Sequence, residues 1–195
     1  MTEESQGGIF DSVKKGVVGA IRGVGDVAQA VVDTVSGTLV SALKGVREIN
    51  QEALGLITDT VSGAVQGVAQ VGGDVTTAAK SSVLGVIRAT KDIATGTVEA
   101  VSVSAEAAVR GVGDVGGDVA GAAKGAVEGA IEGAKELGTD VEEAAAAAAS
   151  GALKGAGKIS GTAVEQVRNV LTGTISGVKV VLKEPFKGEE EEKKK

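Results

Sequence analysis

The sequence repeats every 22 residues, and this period restricts the fold more than any other feature. A small–aliphatic–polar–small motif begins at residues 20, 42, 64, 86, 108, 130, 152 and 174, with no insertion or deletion between copies. The aliphatic position is Ile21, Leu43, Val65, Ile87, Val109, Ile131, Leu153 and Ile175. Three residues on stand Val24, Val46, Val68 and Val112, and three further Val27, Ile49, Val71, Ile93, Val115, Leu137 and Ile159. Within one repeat the apolar gaps are 4, 3, 4, 4, 4 and 3. Such spacing belongs to a helix face, because a strand would alternate every second residue. Twenty-two residues in six turns give about 3.67 per turn, the family of eleven-residue patterns.

The expected fold is therefore all-α, built from long amphipathic helices. Unbroken, residues 9–183 form a rod of roughly 260 Å at ~1.5 Å per residue. A bundle folded back at Gly72-Gly73 and Gly116-Gly117 satisfies the same pattern. The alternative is a β-solenoid with 22-residue coils, which the Val and Gly content also suits. Residues 1–8 are expected to be a flexible tail. Beyond Pro185, residues 184–195 are expected to be a charged, flexible one.

On a helical wheel the repeat separates into three stripes. The first is the aliphatic face named above. The second is a ridge of small residues: Gly23, Gly45, Gly67, Gly111, Gly133, Gly155 and Gly177, with Gly63, Gly129, Gly151 and Gly173 four positions before a member of that row. Small-xxx-small ridges let two helix backbones come close, with van der Waals contact replacing large side chains. The third stripe is polar. Its basic flank is Arg47, Lys80, Lys91, Lys124, Lys135, Arg168 and Lys179. Asp26, Asp74, Asp118 and Asp140 lie farther round, and Arg22–Asp26 and Arg88–Asp92 have the spacing of helix ion pairs.

Composition narrows the function. The chain has no His, Cys, Tyr or Trp, and its carboxylates are spread along the repeat. The commonest general base and any thiolate are missing and a catalytic reading has little to work with, so it reads as a non-enzyme with no cofactor, metal or small-molecule substrate. Gly113, Gly116 and Gly117 lack the lysine placement of a phosphate-binding loop. A net charge of −6 argues against nucleic acid as a partner. No run reaches ~18 apolar residues and the N-terminus has no signal-like run, which places the expectation in the cytoplasm, peripheral to a membrane or lipid body. The aliphatic residues are mostly Ala and Val, and 31 glycines weaken any isolated helix. Such helices need a surface to pack on.

The run Ala122-Ala123-Lys124-Gly125-Ala126-Val127-Glu128-Gly129-Ala130 and the segment Leu171 to Lys179 resemble the eleven-residue lipid-binding repeats of synucleins and perilipins. The 22-residue doublet is similar in length to the repeat of exchangeable apolipoproteins. Late-embryogenesis-abundant proteins share the eleven-residue style. These resemblances imply a helix that folds on lipid or on drying. Three expectations follow: reversible coating of a lipid surface, self-assembly into a bundle, tube or filament through the Gly/Ala ridge, and protection under desiccation. The partner is a lipid surface or copies of the chain, and a homo-oligomer is expected.

Overall fold

A computed structural model describes residues 3–44, 51–93 and 97–182. Among them are eight helices: α1 (Glu3–Val24), α2 (Val27–Ala42), α3 (Gln51–Gln70), α4 (Val75–Ile93), α5 (Thr97–Asp114), α6 (Val119–Leu137), α7 (Val141–Gly157) and α8 (Gly161–Leu171). A hairpin of β1 (Gly173–Ile175) and β2 (Val178–Val180) follows. The all-α reading holds, and no stacked strand coils exist among the described residues. Each 22-residue repeat is one helix and one turn, so the continuous rod is corrected. The helix α1 already runs from Glu3, inside the stretch expected to fray.

The breaks have a local cause. Gly25, Gly72, Gly116 and Gly138 adopt left-handed backbone, with φ of 78°, 71°, 71° and 67°. Glycine enters this region without a Cβ clash and so ends a helix cheaply. After three of these breaks the amide of the next residue reaches back to close the helix: Gly73 to Val68 O, Gly117 to Val112 O and Thr139 to Ala134 O. One or two residues past each glycine an aspartate starts the next helix. Asp26, Asp118 and Asp140 accept from the amides of Gln29, Gly121 and Glu143. Asp74 accepts from Thr76 and Thr77. These aspartates are N-caps rather than members of a continuous polar stripe. Ser160 caps α8 in the same way through the Ala163 amide.

The order of the helices follows from where the glycines touch. Gly63 and Gly67 of α3 lie against Phe10 and Lys14 of α1, so α1 and α3 run parallel, side by side. Gly85 of α4 lies against Val32 and Val35 of α2, Gly125 and Gly129 of α6 against Thr76 and Lys80 of α4, and Gly151 and Gly155 of α7 against Ser102 and Glu106 of α5. Since α3 starts back beside α1, α2 must run the opposite way. The result is two layers, α1-α3-α5-α7 and α2-α4-α6-α8, each of parallel helices, with the two layers antiparallel. It is an α-solenoid with two repeats per coil.

The core lies between the layers. The column Val17, Leu39, Val61, Val83, Ala105, Val127, Ala149, Leu171 and the column Val13, Val35, Ile57, Ala79, Val101, Ala123, Ala145, Val167 each recur at 22-residue steps, and no member is more than 1% exposed. The same columns serve both layers because each helix is reversed relative to the last.

The segment 173–182 departs from the expected helix. Gly173 has a φ of 119°, and Ser176 and Gly177 take 49° and 83°, which is a two-residue hairpin turn. Around it Gly173 pairs with Val180, Thr174 with Lys179 and Ile175 with Val178. The β-branched alternation of Thr174, Ile175, Val178 and Val180 suits a strand, and it outweighs the helical period here. Ile175 and Val180 are buried, and the hairpin packs on α6, α7 and α8, closing the last coil.

Candidate functional site

Of the three stripes, the small-residue ridge does the most specific work. A methyl group added at Gly63 would stand 2.7 Å from Phe10 O, at Gly67 2.9 Å from Lys14 O, and at Gly155 2.6 Å from Glu106 O. At Gly129 and Gly151 it would collide with Lys80 O and Ser102 O, and at Gly133 it would meet Ile87 Cγ2 at 2.7 Å. Gly111 is looser, with Val65 at 3.5 Å. The ridge is thus the seam between parallel neighbours in one layer, where Cα–H groups approach carbonyl oxygens. The sequence located these seven positions as close-approach sites, but their partner is the chain itself, two helices back.

The remaining ridge positions separate from these. Gly173 and Gly177 belong to the hairpin. Gly45 lies outside the described residues. Gly23 is exposed, with nothing within 4 Å of an added Cβ. Gly19, four residues earlier, is equally open. Both stand 44 residues before Gly67 and Gly63, in the columns that elsewhere receive a neighbouring helix. The helix α2 repeats the theme: Gly37 is open and Ser41 exposed, in the columns of buried Ser81 and Gly85. The edge formed by α1 and α2 therefore carries the receiving half of the intralayer seam with no helix of the described residues in it. At the opposite edge, β2 rests on α7.

The aliphatic face divides as well. Leu43, Val65, Val68, Ile87, Val109, Val112, Ile131, Leu153 and Ile175 are buried, while Ile21, Val27, Val71 and Leu137 are half-buried. Val115 and Ile159 are exposed, because each stands in a turn between helices. The side chains of Val24 and Ile93, and the residues Val46, Ile49 and Arg47, lie outside what the structure describes.

Five residues of the basic flank fall on one layer. Lys80 and Lys91 are on α4, Lys124 and Lys135 on α6 and Arg168 on α8, with Lys179 on β2. All but half-buried Lys80 are exposed. Acidic residues interleave with them. Lys80 pairs with Glu132 at 2.8 Å, and Lys124 with Glu128 at 3.9 Å. Arg88, expected to pair with Asp92 in its own helix, instead forks onto Glu136 of α6 at 2.9 and 2.8 Å. That hydrogen bonding holds the Glu136 carboxyl below the usual range and raises the Arg88 guanidinium. In the other layer Lys158 pairs with Glu106. Burial pushes the Asp59 carboxyl up, against a smaller pull downward from Arg110.

Sequence reasoning missed the buried hydroxyl column. Thr60, Ser82 and Ser104 recur at 22-residue steps and are fully buried. Ser104 Oγ donates to Val101 O, while the Thr60 and Ser82 hydroxyls have no partner. The signal was present as hydroxyls in a column that becomes Ala126 and Ala148 in later repeats.

No group of three or more His, Cys, Asp or Glu that could hold a metal ion occurs among the described residues. No helix among them is long and apolar enough to cross a membrane. No protein-family model matches the sequence, and no curated protein matches it.

Proposed function

We propose that this chain is a non-enzymatic structural module that assembles with copies of itself through the small-residue edge of α1 and α2. One observation carries the reading. Gly19 and Gly23 occupy the columns in which Gly63 and Gly67 receive a helix, yet they face open space. The hairpin covers α7 at the other edge, which favours a closed edge-to-edge pair over an open filament. The absence of His, Cys, Tyr and Trp supports a role without catalysis. The test is light scattering across a concentration series. The parent chain is expected to give a dimer, and Gly19→Leu with Gly23→Leu a folded monomer, because an added Cβ at either position meets nothing within 4 Å while leucine holds a second backbone away. A monomer at every concentration tested for the parent chain would overturn this function.

Coating of a lipid surface, by a cytoplasmic protein peripheral to a membrane or lipid body, is the second reading. The favouring observation is that Lys80, Lys91, Lys124, Lys135 and Arg168 all lie on one layer, directly over the aliphatic core. Coating would require that layer to part from the other and lay its apolar face on lipid. Flotation with anionic vesicles tests it. Lys80→Glu, Lys124→Glu and Arg168→Glu together should abolish flotation, and no flotation of the parent chain would remove the reading.

A further inference from the structure

The two helices of the α1–α2 edge carry charges of opposite sign. Lys15 and Arg22 of α1 are exposed, as is Asp33 of α2. Each stands in a column that elsewhere meets the preceding helix of its layer. Lys15 shares the column of Gly125, which lies against Thr76 O of α4, and Asp33 that of Gly121, which lies against Thr76 Oγ1. Arg22 shares the column of Glu132, which pairs with Lys80 of α4. Among the described residues no helix precedes α1 or α2, so the three charges face outward. None of them belongs to an ion pair of the described residues. Asp33 accepts from the side-chain amide of Gln29 at 2.7 Å.

We propose that a second copy docks with its α1 along α2 of the first, about a two-fold axis parallel to the helices. This orientation rests on assembly through the α1–α2 edge and adds which helix meets which. A closed pair with aligned helices has two choices. With the axis across the layers, α1 meets the α1 of the copy and α2 its α2. With the axis along the helices, α1 meets the α2 of the copy. The first axis itself reverses the helix, and in the second the layers already run oppositely. Either way the edge receives an antiparallel helix, unlike the internal seams, where neighbours run parallel. Charge decides between the two. Gly16 and Thr34 are level, with Thr34 Cγ2 3.3 Å from an added Cβ. Since α2 runs back along α1, Asp33 is level with Val17, about 3 Å along the axis from Lys15. An axis along the helices preserves these heights, so Lys15 of each copy meets Asp33 of the other. Arg22 then stands a similar step from Asp26, and Asp11 falls between Gly37 and Ser41. The other axis sets like against like. In every register that overlaps more than half of α1 with its copy, Lys15 meets Lys15 or Arg22, or Asp33 meets Asp33. Such juxtapositions oppose association.

A charge swap on the full-length chain tests this by sedimentation equilibrium. Lys15→Glu and Asp33→Lys are each expected to raise the dimer dissociation constant at least fivefold, because each contact occurs twice and becomes a repulsion. The two substitutions in one chain should restore it to within twofold of the parent. A double variant no tighter than the single ones overturns the orientation. The chain contains no cysteine, so cross-linking supplies a second measurement. Ser12 and Gly37 are exposed on the same edge, and about level by the same alignment. Ser12→Cys and Gly37→Cys chains, mixed under oxidised glutathione, are expected to form disulfide-linked dimers at least tenfold faster than either variant alone. Faster linking of like with like would place α1 on α1 and overturn the orientation while leaving the dimer standing. A parent chain that stays monomeric overturns the assembly and the orientation together.

Discussion

At the scale of single residues, identical side chains carry different weights depending on what stands behind them. Gly151 and Gly19 share small-residue columns, but an added Cβ collides with Ser102 O at the first and meets nothing at the second. Gly151→Ala is therefore expected to cost about 2–3 kcal/mol through forced backbone separation. Gly19→Ala should be neutral or stabilising by up to about 1 kcal/mol, as helix propensity predicts. Chemical denaturation of both variants measures the contrast. The hydroxyl of Thr60 is buried with no partner, and Thr60→Val should stabilise the fold by about 1 kcal/mol. Asp59 and Glu136 make opposite contributions as pH changes. Burial raises the folded-state pKa of Asp59, so its stabilising contribution is present below its unfolded value and is lost as pH rises through the folded one. Glu136 is held low by Arg88, so its contribution is present above its unfolded value and is lost as pH falls through the folded one. Asp59→Asn is expected to be more stable than the parent at pH 7, with the difference closing at pH 3. Thermal melts at the two values decide it, and a gap of constant size would assign the effect to something other than the charge.

Single helices and their turns explain what was legible in the sequence and what was not. The 22-residue period and the aliphatic columns were readable because every helix presents the same face to the same interlayer core. The breaks were harder to read. A helix of about 18 residues plus a short turn has the same length as six unbroken turns, so the period alone cannot separate a rod from a solenoid. The signal that does separate them is local: a glycine followed within two residues by aspartate, at 25–26, 72–74, 116–118 and 138–140. Only the two Gly-Gly pairs stood out, and the reason they are pairs lies in packing. The second glycine sits where a Cβ would meet the closing valine, with Val68 Cγ1 2.8 Å from the position above Gly73. Where the closing residue is Ala134, that place is taken by Thr139. The two positions are therefore coupled. Gly73→Ala should destabilise by about 1–2 kcal/mol in the parent and by much less in a Val68→Ala background, a double-mutant cycle with a coupling of about 1 kcal/mol. Strict additivity would refute the steric account of the turn. Likewise the ridge was legible as a close approach, but its partner was not, because local spacing carries no information about which helix lies two repeats away.

On the scale of the whole molecule, the repeat is 22 residues but the coil is 44, and this parity has a consequence. Removing residues 75–118 deletes α4 and α5 and joins Asp74 to Val119, keeping a capping aspartate before a helix. The helix α6 then takes the place of α4 against α2, and α7 that of α5 against α3. The seam survives the change, since Gly125 and Gly129 would lie on the backbone of Val32 and Ser36, one coil before Thr76 and Lys80. Removing residues 75–96 alone joins Asp74 to Thr97 and moves α5 and every later helix into the opposite layer. Gly111 would then face α2 instead of α3, and the basic residues of α6 would cross to the other side of the molecule. The 44-residue deletion is expected to fold, with the same helical circular dichroism per residue and a melting temperature several degrees lower, because solenoid stability is a sum over neighbour interfaces. The 22-residue deletion should lose its cooperative transition, since each seam is fitted to a helix of its own layer. If both melt alike, the two layers are interchangeable and the ridge selects no particular neighbour.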